Sequence, residues 1–262
     1  MAPPMAEALA KPADLWLEAH GRRLSLALAT TAGFSDAFGY LRLHGILTSH
    51  VTGNLAFMAI GIARGNPHIL MKFLAVPIFV LWVACASLVI TRQRPGLFRA
   101  LKAGLLLEIG FLCAGSLAIL AMPPAQSPDD ASAVVLGTLL LGAMGTQNAL
   151  MRKSLARLPS TTAMTTNISE ATVRWVAGQL DPAQRLTPEE RQARLHAAGR
   201  VAFTVGSFAS GAILGGLAAL HLGAAGLIPP IAVLAALLAF VSSGRAQQAR
   251  LNQPAPQETQ GN

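Results

Sequence analysis

Six stretches of this chain, about 24–44, 69–90, 100–122, 131–151, 200–222 and 226–243, are mainly apolar. Each approaches the roughly 20 residues that an α-helix needs to cross about 30 Å of hydrocarbon. Lipid offers backbone N–H and C=O groups no partner, so such stretches must satisfy their own backbone as helices. Composition points the same way. Residues from AVILMFWYC make up 53% of the 262 positions and charged residues 12%, against about 25% charged in soluble domains. A chain this apolar cannot cover a water-facing surface with polar groups. An ordinary soluble enzyme, a disordered chain and a secreted disulfide scaffold are excluded, and the expected fold class is an all-α polytopic membrane protein whose first partner is the lipid bilayer.

The net charge of +8 does not signal nucleic acid, because the basic residues sit in short blocks between apolar runs rather than along one face. They read as topology signals. Arg92, Arg94, Arg99 and Lys102 lie between the second and third long stretches or at the start of the third, and Arg152, Lys153, Arg157, Arg174, Arg185, Arg191, Arg194 and Arg200 between the fourth and fifth or at the start of the fifth. Six crossings with both termini inside make both blocks cytoplasmic. Two further segments do not fit as crossings. The segment 51–63 would give only about 20 Å of helix, and 161–178 carries Thr165, Asn167, Glu170 and Arg174 and is too polar to face lipid. Both are expected to be non-spanning, as re-entrant hairpins or halves of broken helices. The domain plan is then a cytoplasmic segment 1–23, one membrane domain 24–243 and a disordered cytoplasmic tail 244–262.

The two halves resemble each other. Gly33-Phe34-Ser35-Asp36-Ala37 aligns with Gly145-Thr146-Gln147-Asn148-Ala149, and Thr48-Ser49-His50-Val51-Thr52-Gly53-Asn54 with Thr161-Thr162-Ala163-Met164-Thr165-Thr166-Asn167. Each half, 24–122 and 131–243, reads as a crossing, a T-x-x-x-T-x-N element and two more crossings. Three crossings per half is odd, so the second copy must be inverted. Inverted repeats with interrupted helices are how many transporters place a solute site near mid-membrane. Spacing predicts that Thr48 and Thr52, and likewise Thr161 and Thr165, share a helix face. Thr and Asn at such a break either cap a helix whose positive end meets a bound solute or only satisfy the freed backbone.

These motifs, GFSDA with TSHVTGN and GTQNAL with TTAMTTN, resemble the YoaK family of bacterial inner-membrane proteins over roughly Leu24 to Ser243. Thr166 stands where the first copy has Gly53. The resemblance implies a multi-pass protein of the bacterial inner membrane and brings no substrate, reaction or site.

Asp36 interrupts the first apolar stretch, and Asn148 holds the matching position in the other half. A carboxylate there is costly unless paired, protonated or wetted. It reads as a proton carrier or cation ligand, or as a hydrogen-bond acceptor joining helices. Glu108 lies in the third stretch with no basic residue within a turn and reads as a second functional carboxylate or a neutral acid at a helix contact. Glu170 and Arg174 are spaced to pair as a structural ion pair. His44, His50, His68 and His221 fall near stretch ends and read as interfacial. Cys85 and Cys113 lack partners at ligand spacing, so no metal or cofactor is expected. Gly211 and Gly215 form a small-residue face that packs within the subunit or between the subunits of a homo-oligomer.

The leading expectation is a transporter or channel for a small polar or ionic solute, possible proton coupling resting on Asp36 and Glu108. Its pathway residues are Asp36, Thr48, Thr52, Asn54, Glu108, Asn148, Thr161, Thr165 and Asn167. A membrane enzyme acting on a lipid-like substrate lacks a recognisable cluster of Ser, His and Asp or a phosphate loop in the sequence. A scaffold or sensor is the remaining alternative, working through loop 179–199, where Asp181-Pro182 and Thr187-Pro188-Glu189-Glu190 read as the starts of one or two short helices.

Overall fold

The computed structural model describes residues 12–93, 96–180 and 186–251. Its elements are α1 (Pro12–Arg42), α2 (Val51–Ala63), α3 (Leu70–Arg92), α4 (Leu97–Ala121), α5 (Ala131–Ser154), α6 (Met164–Gln179), α7 (Pro188–His221), a 3-10 turn (Gly223–Leu227) and α8 (Ile228–Leu251). No strand occurs among the described residues. Five helical segments are long and apolar enough to cross a membrane: α3, α4, α5, α7 and 223–244. They support a lipid bilayer as the environment, and large apolar side chains on their outer faces, such as Phe73, Leu88, Leu120 and Ile213, are exposed as lipid contact requires.

The sixth expected crossing, 24–44, is not among those five. It belongs to α1, whose apolar run is diluted by Thr30, Thr31, Ser35 and Asp36. Those polar residues are tolerable because Thr31, Ser35 and Asp36 are buried in protein, beside Leu28, Ala32 and Phe38. Along α1 lies α7, running parallel at backbone contact. A Cβ added at Gly211 or Gly33 would lie 2.0 Å from the carbonyl oxygen of Thr30 or Phe208, and one at Gly215 would lie 2.2 Å from that of Phe34. The small-residue face of α7 is therefore used within the chain.

On the other side, α3 runs parallel to α5, with Gly137 against Met71 and Gly145 against Trp82. Helix α4 runs antiparallel to α5, Gly104 meeting Leu150 and Gly142 meeting Phe111. Antiparallel to α1 lies α8, where Trp16 packs on Phe240 and Gly244 at one end, and at the other Phe38 meets Gly226 of the 3-10 turn that leads into α8. Helices α1, α4 and α7 thus run one way, and α3, α5 and α8 the other.

Three boundaries differ from the sequence reading. The leading segment up to residue 23 is in its described part the first turns of α1, because Trp16 finds Phe98, His20 and Phe240 to pack on. The polar loop 179–199 is not a loop with separate short helices beyond Thr187. Thr187 caps one 34-residue helix with Glu190 in a capping box and Pro188 in the first turn, and that helix continues unbroken to His221. The helix start expected at Asp181-Pro182 lies outside the described residues. At the other end α8 runs to Leu251, past the expected boundary at 243, so the tail expected as disordered from 244 begins as helix. Pro229 and Pro230 sit in the first turn of α8, where proline costs no hydrogen bond.

Candidate functional site

At the end of α1, His44 and Gly45 turn the chain with φ of 53° and 92°. Residues 46–50 then fold back along α1 to Asp36, six residues before its end, a retreat of about 9 Å. Asp36 Oδ1 accepts the backbone N–H of Thr48 at 2.8 Å, of Ser49 at 2.6 Å and of His50 at 3.4 Å, with the Thr48 hydroxyl also at 3.4 Å. His50 Nδ1 donates to Oδ2. Helix α2 starts at the next residue and has no side-chain cap from its own N-cap residue. The Asp36 carboxylate therefore stands at the positive end of α2, where a negative charge is favoured. Asn54 locks the turn from within, accepting from Leu47 N at 2.8 Å and donating to Leu47 O at 2.7 Å.

From there α2 runs back to the end it came from. Its last turn is followed by Leu70 and Met71, whose N–H groups point at Asp129 in the loop after α4, and His44 bonds Ala125 in the same loop. Coil enters and helix leaves by one end of the bundle, and α2 begins beside Asp36.

The second half repeats this with different chemistry. Residues 155–163 fold back along α5, and Thr161 Oγ1 accepts from Gln147 Nε2 at 2.7 Å. Gln147 also donates to Leu28 O on α1 at 3.0 Å, tying the halves together. Asn148 Nδ2 donates to Thr162 Oγ1 at 3.0 Å, and Asn167 Nδ2 to Ser160 O at 2.6 Å. Helix α6 starts there, again with no side-chain cap of its own.

Among the residues expected to line a pathway, Asp36, Thr48 and Asn54 form one connected cluster, and Asn148, Thr161 and Asn167 hold the matching places in the other half. Thr52 and Thr165 stand apart. Each is exposed in the first turn of its short helix, whereas Thr48 and Thr161 are buried in the preceding coil. The shared helix face expected for Thr48/Thr52 and Thr161/Thr165 therefore does not form, because the first Thr of each pair is drawn out of the helix by its bonds to α1 or α5. Glu108 is fully buried in α4, and neither of its oxygens has a hydrogen-bond partner. Arg174 pairs with Glu170 across one turn of α6, as its spacing predicts.

Sequence reasoning missed His50, taken as an interfacial histidine, and with it Ser49. The signal lay inside the quoted TSHVTGN motif. The structure also brings together the Ser, His and Asp that the sequence did not reveal as a cluster. Their arrangement is not that of a nucleophile and base: Ser49 Oγ lies 3.2 Å from Nδ1 of His50, the same nitrogen that Asp36 engages. A relay needs the carboxylate on one ring nitrogen and the hydroxyl on the other.

The family described as "Protein of unknown function (DUF1275)" matches residues 24–240. Neither the curated proteins nor the solved structures compared with the chain gave a match.

Proposed function

The chain belongs to the DUF1275 family, for which no activity is described, and we propose that it is a transporter or channel for a small polar or ionic solute. One observation carries this reading: a buried carboxylate, Asp36, and its neutral counterpart, Asn148, each meet the start of a short helix that begins inside the bundle. A broken element of this kind in each of two repeats marks a solute site in many transporters.

In this reading α1 is the sixth crossing, and the halves are inverted three-helix repeats. The packing supports it, since exchanging each helix for its counterpart turns α1 against α7 into α5 against α3. Likewise α4 against α5 becomes α8 against α1, and α2 against α3 becomes α6 against α7. The chain lies in the bacterial inner membrane. The end of the bundle holding Lys102, Arg152, Lys153 and Arg157 faces the cytoplasm, with both termini, as the positive-inside bias requires. The pathway follows the repeat interface, where Gln147 bonds Leu28, and proton coupling runs through Asp36 with His50 and through Glu108. The protein is not an enzyme on this reading, in keeping with the single His50 nitrogen shared by Ser49 and Asp36.

Topology is the first test. Single cysteines at Asn66, Gln93 and Gln179 in a background lacking Cys85 and Cys113 are exposed to an impermeant thiol reagent on intact cells. Position 66 is chosen because the neighbouring Gly65 has a φ of 64°, which strains any side chain. Labelling at 66 alone supports six crossings. Labelling at 93 with protection at 66 makes 51–63 a crossing and removes the inverted repeat. Flux follows in proteoliposomes holding a pH-sensitive dye, with a panel of small polar solutes added outside.

A further inference from the structure

The charged cavity between α6 and α7 has no counterpart in the sequence of the first half. It measures about 290 Å³ and lies where the coil 156–160 meets the first turns of α6 and the middle of α7. Arg157, Arg174 and Arg200 line it together with Glu170, Ser160 and Thr166. Among the described lining residues arginines outnumber carboxylates, and the one carboxylate, Glu170, is bonded to Arg174. Shifted back by the repeat offset of 113 residues, Glu170 and Arg174 correspond to Phe57 and Gly61. In the first half that place is closed, with Ile69 packed against Gly61. The charged groups belong to one repeat alone, so packing common to both halves does not account for them.

We propose that this cavity is a binding site for a phosphate-type oxyanion, either a free anion or the headgroup of an anionic phospholipid. Guanidinium forks match tetrahedral and planar oxyanions in charge and in donor geometry. The neighbouring helix end adds to this, although the cavity and its arginines carry the argument. In the first half the positive end of α2 already holds the Asp36 carboxylate. In the second half the equivalent residue is the neutral Asn148, whose amide donates a bond instead of accepting one. The start of α6 thus lacks the built-in anion that satisfies α2, and Thr166 of its first turn faces the cavity.

The site stands on its lining and not on the transport reading, so binding is measured at equilibrium without flux. The full-length protein is purified in a neutral detergent and its thermal unfolding followed against sodium phosphate, with sodium chloride at matched ionic strength as reference. A second arm places it in nanodiscs with and without an anionic phospholipid. The expected result is a saturable rise in unfolding temperature in at least one arm, half-saturation weakening by about tenfold in Arg200→Gln and in Arg174→Gln. A rise with phosphate assigns a free anion, and one confined to anionic nanodiscs assigns a headgroup. Both arginines are solvent-exposed, so neither variant should lose the fold, and Lys102→Gln on α4 serves as a charge control. No rise in either arm, or an undiminished rise in both arginine variants, overturns the proposal.

Discussion

Asn54 and Asn167, 113 residues apart, make the same bond: each donates its side-chain amide to the carbonyl oxygen seven residues upstream, Leu47 for the one and Ser160 for the other. Each bond closes the coil that leads into a short helix, so the asparagine of the T-x-x-x-T-x-N motif holds the turn shut. Alanine at either position leaves a carbonyl without its partner, at about 1–3 kcal/mol where the group is buried. Asn54 also accepts from Leu47 N, while among the described residues Asn167 shows no such second backbone bond. Thermal unfolding in detergent should therefore fall further for Asn54→Ala than for Asn167→Ala. Equal losses would show that the second bond contributes little.

Asp36→Asn separates charge from geometry. Asparagine keeps one oxygen to accept from Thr48 and Ser49, so the coil should stay in place and the protein should express and purify as before. What disappears is the negative charge beside His50 and at the start of α2. On the transport reading, solute-dependent proton movement into dye-loaded proteoliposomes should be lost in Asp36→Asn and in Asn54→Ala. Flux at the native rate in both variants would leave the cluster as an anchor for α2 and nothing more.

The α1–α7 contact makes a sharper stability prediction. A methyl group at Gly211 would lie 2.0 Å from the Thr30 carbonyl oxygen, so Gly211→Ala must push two backbones apart. Overpacking of this kind costs about 1–3 kcal/mol. Gly206 lies on the same helix with nothing within 4 Å of its would-be Cβ, and Gly206→Ala should be neutral or slightly stabilising through helix propensity. Unfolding curves of the two variants side by side decide the matter, and a stable Gly211→Ala would mean the helices are not in backbone contact.

Asp130, in the loop between α4 and α5, gives a pH dependence outside the crossings. Backbone N–H bonds from Gln126 and Ser127 hold its carboxyl below the usual aspartate range, helped by the Ser127 hydroxyl and by His44. A carboxyl lowered on folding stabilises the folded loop above its unfolded pKa, and that contribution fades as pH falls through the lower folded value. Acidification into and below the usual aspartate range should lower the protection factors of the amides at 126 and 127, taken after correction for the intrinsic pH dependence of exchange, and Asp130→Asn should show part of that loss already at neutral pH. Protection factors that stay constant over this range would contradict it.

Much of this architecture was written in hydropathy and in motif spacing. The helix at Val51–Ala63 coincides with the short apolar segment, because a brief apolar run between polar neighbours is visible as length alone. Pairing across the fold was not visible. Asp36 and His50 are 14 residues apart, a separation that brings them together only if the coil after α1 doubles back, and no periodicity encodes that reversal. The polar first turns of α7 were read as a short helix starting at Thr187 within a loop, rather than as the beginning of the fifth crossing helix, for a related reason. Hydropathy registers lipid contact, and a helix standing in water at the end of a crossing carries the same residues as a loop. Only the Thr187 and Glu190 capping pattern marked it.

Both oxygens of Glu108 are buried and have no hydrogen-bond partner among the described residues. Burying a polar group without a hydrogen bond costs about 1–3 kcal/mol in proteins, so a position under selection for packing alone would hold leucine. Glu108→Leu should therefore raise the unfolding temperature, while Glu108→Gln, which keeps polar atoms in the same place, should leave it near the native value. If the carboxyl carries protons, the stabilised Glu108→Leu protein should also fail to move them in dye-loaded proteoliposomes, a gain in stability joined to a loss of function. A fall in stability on Glu108→Leu would point the other way. It would mean that a bound ion or water satisfies the carboxyl in the membrane, so that removing the acid removes a partner.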